Sequence, residues 1–180
     1  LGETIDDAVG EAFDKVAKIL GLPYPGGYEI EKLAREGNEN FYKLPEPLIK
    51  KNNLDFSFSG LKTAINLISK KNEIDSIFTK NLCASFQKCI GNILKVKIEK
   101  AIDNLKEKDI SISSLSVVGG VANNKYLNKC FDKIKKNYNL NIFYPPRYMM
   151  SDNAAMIAWA TLLKYKNSPS DIYFKPSPRL

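Results

Sequence analysis

The chain has 180 residues, 44% of them hydrophobic, with 27 Lys and Arg against 20 Asp and Glu, three Cys and no His. That length supports one substantial core rather than two, and no apolar run approaches the roughly 20 residues that span a bilayer. The absence of His removes the commonest general base and the commonest transition-metal ligand. Cys83, Cys89 and Cys130 are odd in number and lack C-x-x-C spacing, which favours a reduced, cytoplasmic protein. The chain opens on Leu1 rather than Met, behind no basic-then-apolar leader, and reads as an interior or trimmed start. A net charge of +7 either steers a polyanion towards the protein or marks solvated helix faces, where Lys95, Lys97, Lys100, Lys133, Lys135 and Lys136 are expected.

Residues 3–20 place Ile5, Val9, Ala12, Phe13, Val16 and Leu20 on one stripe, the spacing of an amphipathic helix. Glu3, Asp6 and Asp7 fall in its expected first turns, where the helix dipole favours them. Gly21 ends it, and Pro23 to Gly27 (PYPGG) predicts a turn before a short helix over 29–35. Residues 37–53, with Pro45 and Pro47, read as a surface connection. Phe56 to Ser59 alternates like a short strand, and a helix is expected over 61–69. Residues 74–105 form the longest periodic segment, a helix that Gly91 is placed to break.

A strand is expected over 112–118, closed by Gly119-Gly120 and followed by a helix to about Lys136. A second strand is expected over 141–144, stopped by Pro145-Pro146. Ser151-Asp152-Asn153 opens an apolar helix over 154–163, with Ser or Asp as its cap. The tail from about 167 to 180 is expected to be irregular. Strands alternating with helices argue for an α/β fold, and a sheet of two or three strands is marginal alone, as though part of a larger one were missing.

Three constellations can carry chemistry. Strand, Gly119-Gly120, Asn123-Asn124, helix is the pattern of a nucleotide contact, because glycines admit a ligand to the backbone and an Asn side chain both donates and accepts; it also fits an ordinary tight turn. Asp6, Asp7, Glu11 and Asp14, followed by Gly26-Gly27 and Glu31, set a carboxylate row suited to ribose hydroxyls or a metal, or simply a solvated face. Asp152, after a strand and before a helix, stands where α/β folds place ligands, and equally where a helix is capped.

Four stretches in order, GETIDDAVGEAFDKVAKILGLPYPGG (2–27), DFSFSGLKTA (55–64), VVGGVANNKYL (117–127) and SDNAAMIAWA (151–160), resemble the C-terminal half of the tRNA N6-adenosine threonylcarbamoyltransferase family. The resemblance implies an actin-like, Hsp70-like α/β fold: a mixed sheet with packed helices, the whole of 1–180 forming one region of a two-lobed enzyme whose N-terminal lobe is missing. It implies transfer of threonylcarbamoyl from its adenylate to N6 of adenosine 37 in tRNAs reading codons that start with A. Carried over by motif, Asp14 and Gly27 would contact the adenylate, with Glu31 where aspartate is commoner; Gly119, Gly120 and Asn124 would hold its adenosine end. Asp152 would bind a divalent metal, Fe2+ or else Zn2+, completed by two histidines and accompanied by a Ser-Gly-Gly phosphate loop, none of which this chain contains. No residue is singled out as catalytic. The implied partners are tRNA, the adenylate, the missing lobe, a homologous non-catalytic subunit and a small ATPase, with no membrane. A non-catalytic paralogue of the same complex and an ATP-dependent kinase or ATPase of the actin-like fold are the alternatives. A metalloprotease lacks its H-E-x-x-H helix here.

Overall fold

The computed structural model describes residues 1–167. Its helices are α1 (Val9–Ile19), α2 (Gly26–Ala34), α3 (Ser59–Ser69), α4 (Ser76–Lys106), α5 (Lys125–Tyr138) and α6 (Ala154–Asn167); β1 (Ser114–Ser116) and β2 (Asn141–Phe143) are its strands, and Gly120–Asn123 and Arg147–Met149 are single 3-10 turns. The tail beyond 167 lies outside the described residues.

α4 is the spine. Asp75 caps it by accepting from the Phe78 amide at 2.7 Å, and its 31 residues run about 46 Å. Leu82, Phe86, Ile90 and Ile93 are fully buried along it, in one core with Phe13 and Val16 of α1, Ile30 of α2, Leu61 and Ile65 of α3, and Leu127 and Ile134 of α5. Each such side chain contributes roughly 1.5–3 kcal/mol of burial. Phe13 meets Phe86 edge to face with centroids 5.0 Å apart. Gly91 does not break α4. It lets α5 approach closely, since a Cβ there would lie 3.0 Å from Cys130 Sγ and 3.3 Å from Tyr126 Cε1.

β1 and β2 pair in parallel, Leu115 opposite Ile142, with α5 as the crossover between them. The expected mixed sheet is therefore a two-stranded parallel one among the described residues. The strand over 112–118 shortens to three residues, because it has only one partner strand to define it. The strand expected at 56–59 is reduced to one parallel bridge, Thr4 with Phe56.

α1 begins at Val9 rather than near Glu3, and the carboxylate row dissolves accordingly. Asp6 crosses to the start of α3, where it accepts from the Phe58 amide at 2.8 Å, the Ser59 amide at 3.3 Å, Ser57 Oγ at 2.5 Å and Ser59 Oγ at 2.7 Å. Burial alone would raise the Asp6 carboxyl; those donors outweigh it and hold the group at about 2. Lys15 Nζ pairs with both Asp7 at 2.6 Å and Glu11 at 2.8 Å.

The connection over 37–53 is a strap laid along α4 rather than a free surface loop. Asn81, Ser85, Cys89, Asn92, Lys97 and Lys100, spaced at helical intervals, bond to Asn38, Tyr42, Pro45, Glu46, Asn53 and Lys51 in turn. Lys97, expected on a solvated face, is 1% exposed, its Nζ 2.7 Å from Asn53 O and 3.1 Å from Asn53 Oδ1. The charge is tolerable there because two oxygens replace its water.

α6 is different from the rest. Its Met156, Ile157, Trp159, Leu162, Leu163 and Tyr165 are all exposed, Trp159 by 61%. A helix apolar on every side is one that protein normally surrounds. It is too short to cross a bilayer, and no helix among the described residues is long and apolar enough to do so.

Candidate adenosine cleft

Gly26 and Gly27, expected in a turn, are instead the first residues of α2. The Gly26 amide, one of the helix's unpaired N-terminal donors, is taken by Asp14 Oδ1 of α1 at 2.9 Å. That bond clamps α1 to α2 and leaves Asp14 Oδ2 with no hydrogen bond among the described residues. One turn further along α2, Glu31 accepts from Arg35 at 3.0 Å and from the Lys125 amide at 3.2 Å, both through Oε1. Its Oε2 is likewise uncommitted.

Across from these carboxylates, β1 runs into Gly119 at φ +92°, a backbone conformation that side chains with a Cβ rarely adopt. A Cβ at Gly119 or Gly120 would meet nothing within 4 Å, so the turn opens onto free space rather than onto protein. Asn124 ends it. Its Oδ1 accepts from the Tyr126 and Leu127 amides at 3.0 and 3.1 Å, capping α5, and its Nδ2 donates to Gln87 Oε1 at 2.8 Å. Asn124 is 6% exposed and keeps a single N–H for a ligand.

Asp14, Gly27, Glu31, Gly119, Gly120 and Asn124 line one cavity of about 560 Å³, with Tyr24, Pro25, Tyr28 and Val118 as its apolar walls and Ser151 at its edge. Tyr24 and Tyr28 are exposed by 84% and 62%. Two carboxylate oxygens positioned to accept from hydroxyls, flat aromatic rings and a glycine turn suit a nucleoside: the rings stack on a base and the carboxylates receive a ribose diol. Tyr24, inside the PYPGG segment, and Tyr28, directly after it, are functional candidates that sequence reasoning missed. So is Gln87, whose place beside Asn124 depends on α4 and α5 crossing, which nothing local in the sequence announces.

Asp152 adjoins this cavity through Ser151. The cap of α6 is neither Ser151 nor Asp152 but Asn153, whose Oδ1 accepts from the Met156 amide at 2.9 Å. Asp152 is exposed and takes part in no hydrogen bond among the described residues, so capping does not account for it. Among the described residues no group of three or more potential metal ligands occurs. A single carboxylate does not hold iron or zinc, and the described residues by themselves do not fit a metal.

The family model for tRNA N6-adenosine threonylcarbamoyltransferase (TsaD) matches residues 1–159. Proteins carrying that name include one from Wolbachia pipientis wMel, 44% identical over 180 residues, and one from Rickettsia rickettsii (strain Sheila Smith), 46% identical over 183; each alignment covers 99% of this chain and 53% of the relative. One from Rickettsia peacockii (strain Rustic) is 48% identical over 170 residues, covering 93% of this chain and 49% of the relative. The chain thus spans about half the length of the curated relatives it matches. With a match across most of its residues, the chain belongs to the tRNA N6-adenosine threonylcarbamoyltransferase family.

Proposed function

We propose that this chain is the adenosine-holding part of a two-lobed, actin-like enzyme that moves a threonylcarbamoyl group from its adenylate to N6 of adenosine 37 in tRNAs reading codons that start with A. The observation that carries the reading is convergence: six residues scattered from position 14 to position 124 on α1, α2 and the β1–α5 turn line a single cavity. Asp14 and Glu31 accept from the ribose hydroxyls, Tyr24 and Tyr28 flank the base, and the glycine turn admits the adenylate close to the backbone. Fixed in this way, the leaving adenylate presents its carbamoyl carbon in one direction, and catalysis by positioning needs that orientation before any charge is stabilised.

The uncovered apolar α6 supports a second lobe, because six of its large apolar side chains are left exposed among the described residues. Asp152, beside the cavity and free of a capping role, is the residue we read as the chain's one contribution to an iron or zinc site, whose remaining ligands would have to be histidines from outside it. A homologous non-catalytic subunit and a small ATPase complete the proposed assembly, acting in the cytoplasm.

The test has two stages. Calorimetric titration of the chain with AMP should give one-to-one binding that Asp14→Asn and Glu31→Gln each weaken roughly tenfold, about 1.4 kcal/mol. The chain co-expressed with the N-terminal half of the Wolbachia relative should then form N6-threonylcarbamoyladenosine in tRNA, detected by mass spectrometry of its nucleosides. Phosphate release from ATP without modified adenosine would instead favour an ATPase.

A further inference from the structure

A second cavity, of about 470 Å³, lies on the other side of Glu31 from the adenosine cleft, walled by α2, the start of the strap, α4 and the first turns of α5. Its floor is Gln87, which is 3% exposed. The orientation of this amide follows from its neighbours. Asn124 Oδ1 is committed to two backbone amides of α5, so Asn124 must present its Nδ2 to Gln87, and Gln87 must answer with Oε1. The Gln87 NH2 group therefore points away from Asn124, and it has no acceptor among the described residues. It opens onto the cavity, where water or a ligand oxygen can accept from it.

The charged groups facing the cavity are Arg35, Lys125 and Lys129 against Glu31 and Glu39. Both carboxylates already have partners: Glu31 Oε1 takes Arg35 and the Lys125 amide, leaving Oε2 for the cleft, and Glu39 takes Tyr126 Oη at 2.9 Å, with Lys88 3.9 Å away. Lys125 and Lys129 form no ion pair among the described residues. Lys125, Lys129 and the Gln87 NH2 are thus the donors left without a protein acceptor among the described residues, the complement of an oxyanion.

We infer that this cavity is a phosphate subsite for the RNA substrate, taking a backbone phosphodiester of the strand whose adenine meets the adenylate held in the adjoining cleft. The inference rests on the function proposed above. The adenylate brings only one phosphate, which the family resemblance gives to a Ser-Gly-Gly loop outside this chain, so an anion site separated from the cleft by Glu31 belongs to a second substrate. Gln87 donates to one phosphate oxygen while Lys125 and Lys129 neutralise the charge.

The experiment is fluorescence anisotropy of a labelled anticodon stem-loop RNA against the chain over a series of salt concentrations. Lys129→Gln should weaken binding several-fold and lower the slope of log K against log salt by about 1, with AMP affinity unchanged. Lys133→Gln makes the same charge change on α5 outside the cavity and should do markedly less. Gln87→Glu keeps the acceptor that Asn124 needs and replaces the NH2 with oxygen; it should weaken RNA binding further while circular dichroism stays unchanged. Equal effects of Lys129→Gln and Lys133→Gln would overturn the subsite. So would inorganic phosphate binding at millimolar concentration, abolished by Lys129→Gln, alongside unaltered RNA affinity, since the source would then be a free anion. Failure of AMP to bind the wild-type chain, with the RNA results as expected, would sink the proposed function and leave the phosphate subsite standing.

Discussion

Adjacent glycines at 26 and 27 give the sharpest test of how the cleft is built, because a methyl group meets opposite fates at the two positions. At Gly26 an added Cβ would lie 2.5 Å from Ala17 Cβ, 2.8 Å from Asp14 Cα and 3.0 Å from Asp14 Oδ1. Carbon atoms pack best at about 3.5–4.0 Å, and two of these three neighbours are a backbone atom and a methyl fixed to it, so α2 must move off α1 by roughly 1 Å. Overpacking of that kind costs about 1–3 kcal/mol. The helical preference of Ala over Gly returns at most about 1 kcal/mol, and less in a first turn. Gly26→Ala should therefore lose about 1–2 kcal/mol, which at about 2–4 °C per kcal/mol lowers Tm by roughly 2–8 °C. At Gly27 the nearest atom is Phe13 Cβ at 4.0 Å, ordinary contact, and the new methyl faces the cleft. Gly27→Ala should melt at or slightly above the wild-type temperature yet bind AMP at least several-fold more weakly. Thermal unfolding by circular dichroism, paired with calorimetric AMP titration, reads both. Equal melting temperatures for the two variants, or a less stable Gly27→Ala, would refute the close α1–α2 contact and with it the placement of Asp14.

Asp6 has its carboxyl depressed to about 2 from 3.8, so its contribution to stability is fully present above about pH 4 and is lost as pH falls through 2. The stability gap between wild type and Asp6→Asn in urea titrations should accordingly narrow from pH 5 to pH 2, and a constant gap would contradict the assignment. Burial pushes the Cys83 and Cys89 thiols up to about 12, so iodoacetamide at pH 8 should label only the half-buried Cys130 in the folded chain, read by intact mass; two or three adducts would count against that burial. Trp159 is the only tryptophan and is largely exposed, so its emission should be red-shifted and readily quenched by acrylamide in the chain alone. A blue shift on adding the N-terminal half of a relative would locate that half on α6, and no shift would remove α6 from the interface. Titrating the chain with Fe2+ or Zn2+ should give no one-to-one micromolar binding lost in Asp152→Asn.

What the sequence made legible was whatever local patterning controls. The stripes of Phe13 and Val16, of Leu82, Phe86 and Ile90, and of Leu127 and Ile134 all face one core, because helical periodicity and burial are the same fact seen twice. The misread elements are those in which a side chain serves a remote partner. Asp6 reads as a helix-start residue until it is seen to bond α3, some fifty positions later. The strap at 37–53 reads as a polar loop because its anchors are polar side chains of α4, and polar residues on a long helix usually mean solvent. Lys97 was hidden for the same reason. Of the site, the motif resemblance supplied Asp14, Gly27, Glu31, the glycine pair and Asn124, whereas Tyr24, Tyr28 and Gln87 needed the fold, since their value lies in what surrounds them.

The same three polar residues that line the cleft also hold the protein together. Asp14 gives one oxygen to the Gly26 amide, Glu31 gives one to Arg35 and the Lys125 amide, and Asn124 caps α5 while fixing Gln87. Asp14 and Glu31 each leave one carboxylate oxygen over and Asn124 leaves one N–H, and all three line the cavity. A side chain held by one end cannot choose another rotamer without breaking a structural bond, so the free ends are positioned before any ligand arrives. Under the proposed function, the orientation of the adenosine is then a property of this chain's own residues. By contrast, Asp152 and α6 have no such internal tether among the described residues: the acid makes no hydrogen bond and the helix no buried apolar contact. Under the proposed function, the division between tethered and untethered groups separates holding a nucleotide, the part read for this chain by itself, from the part that calls for a second lobe.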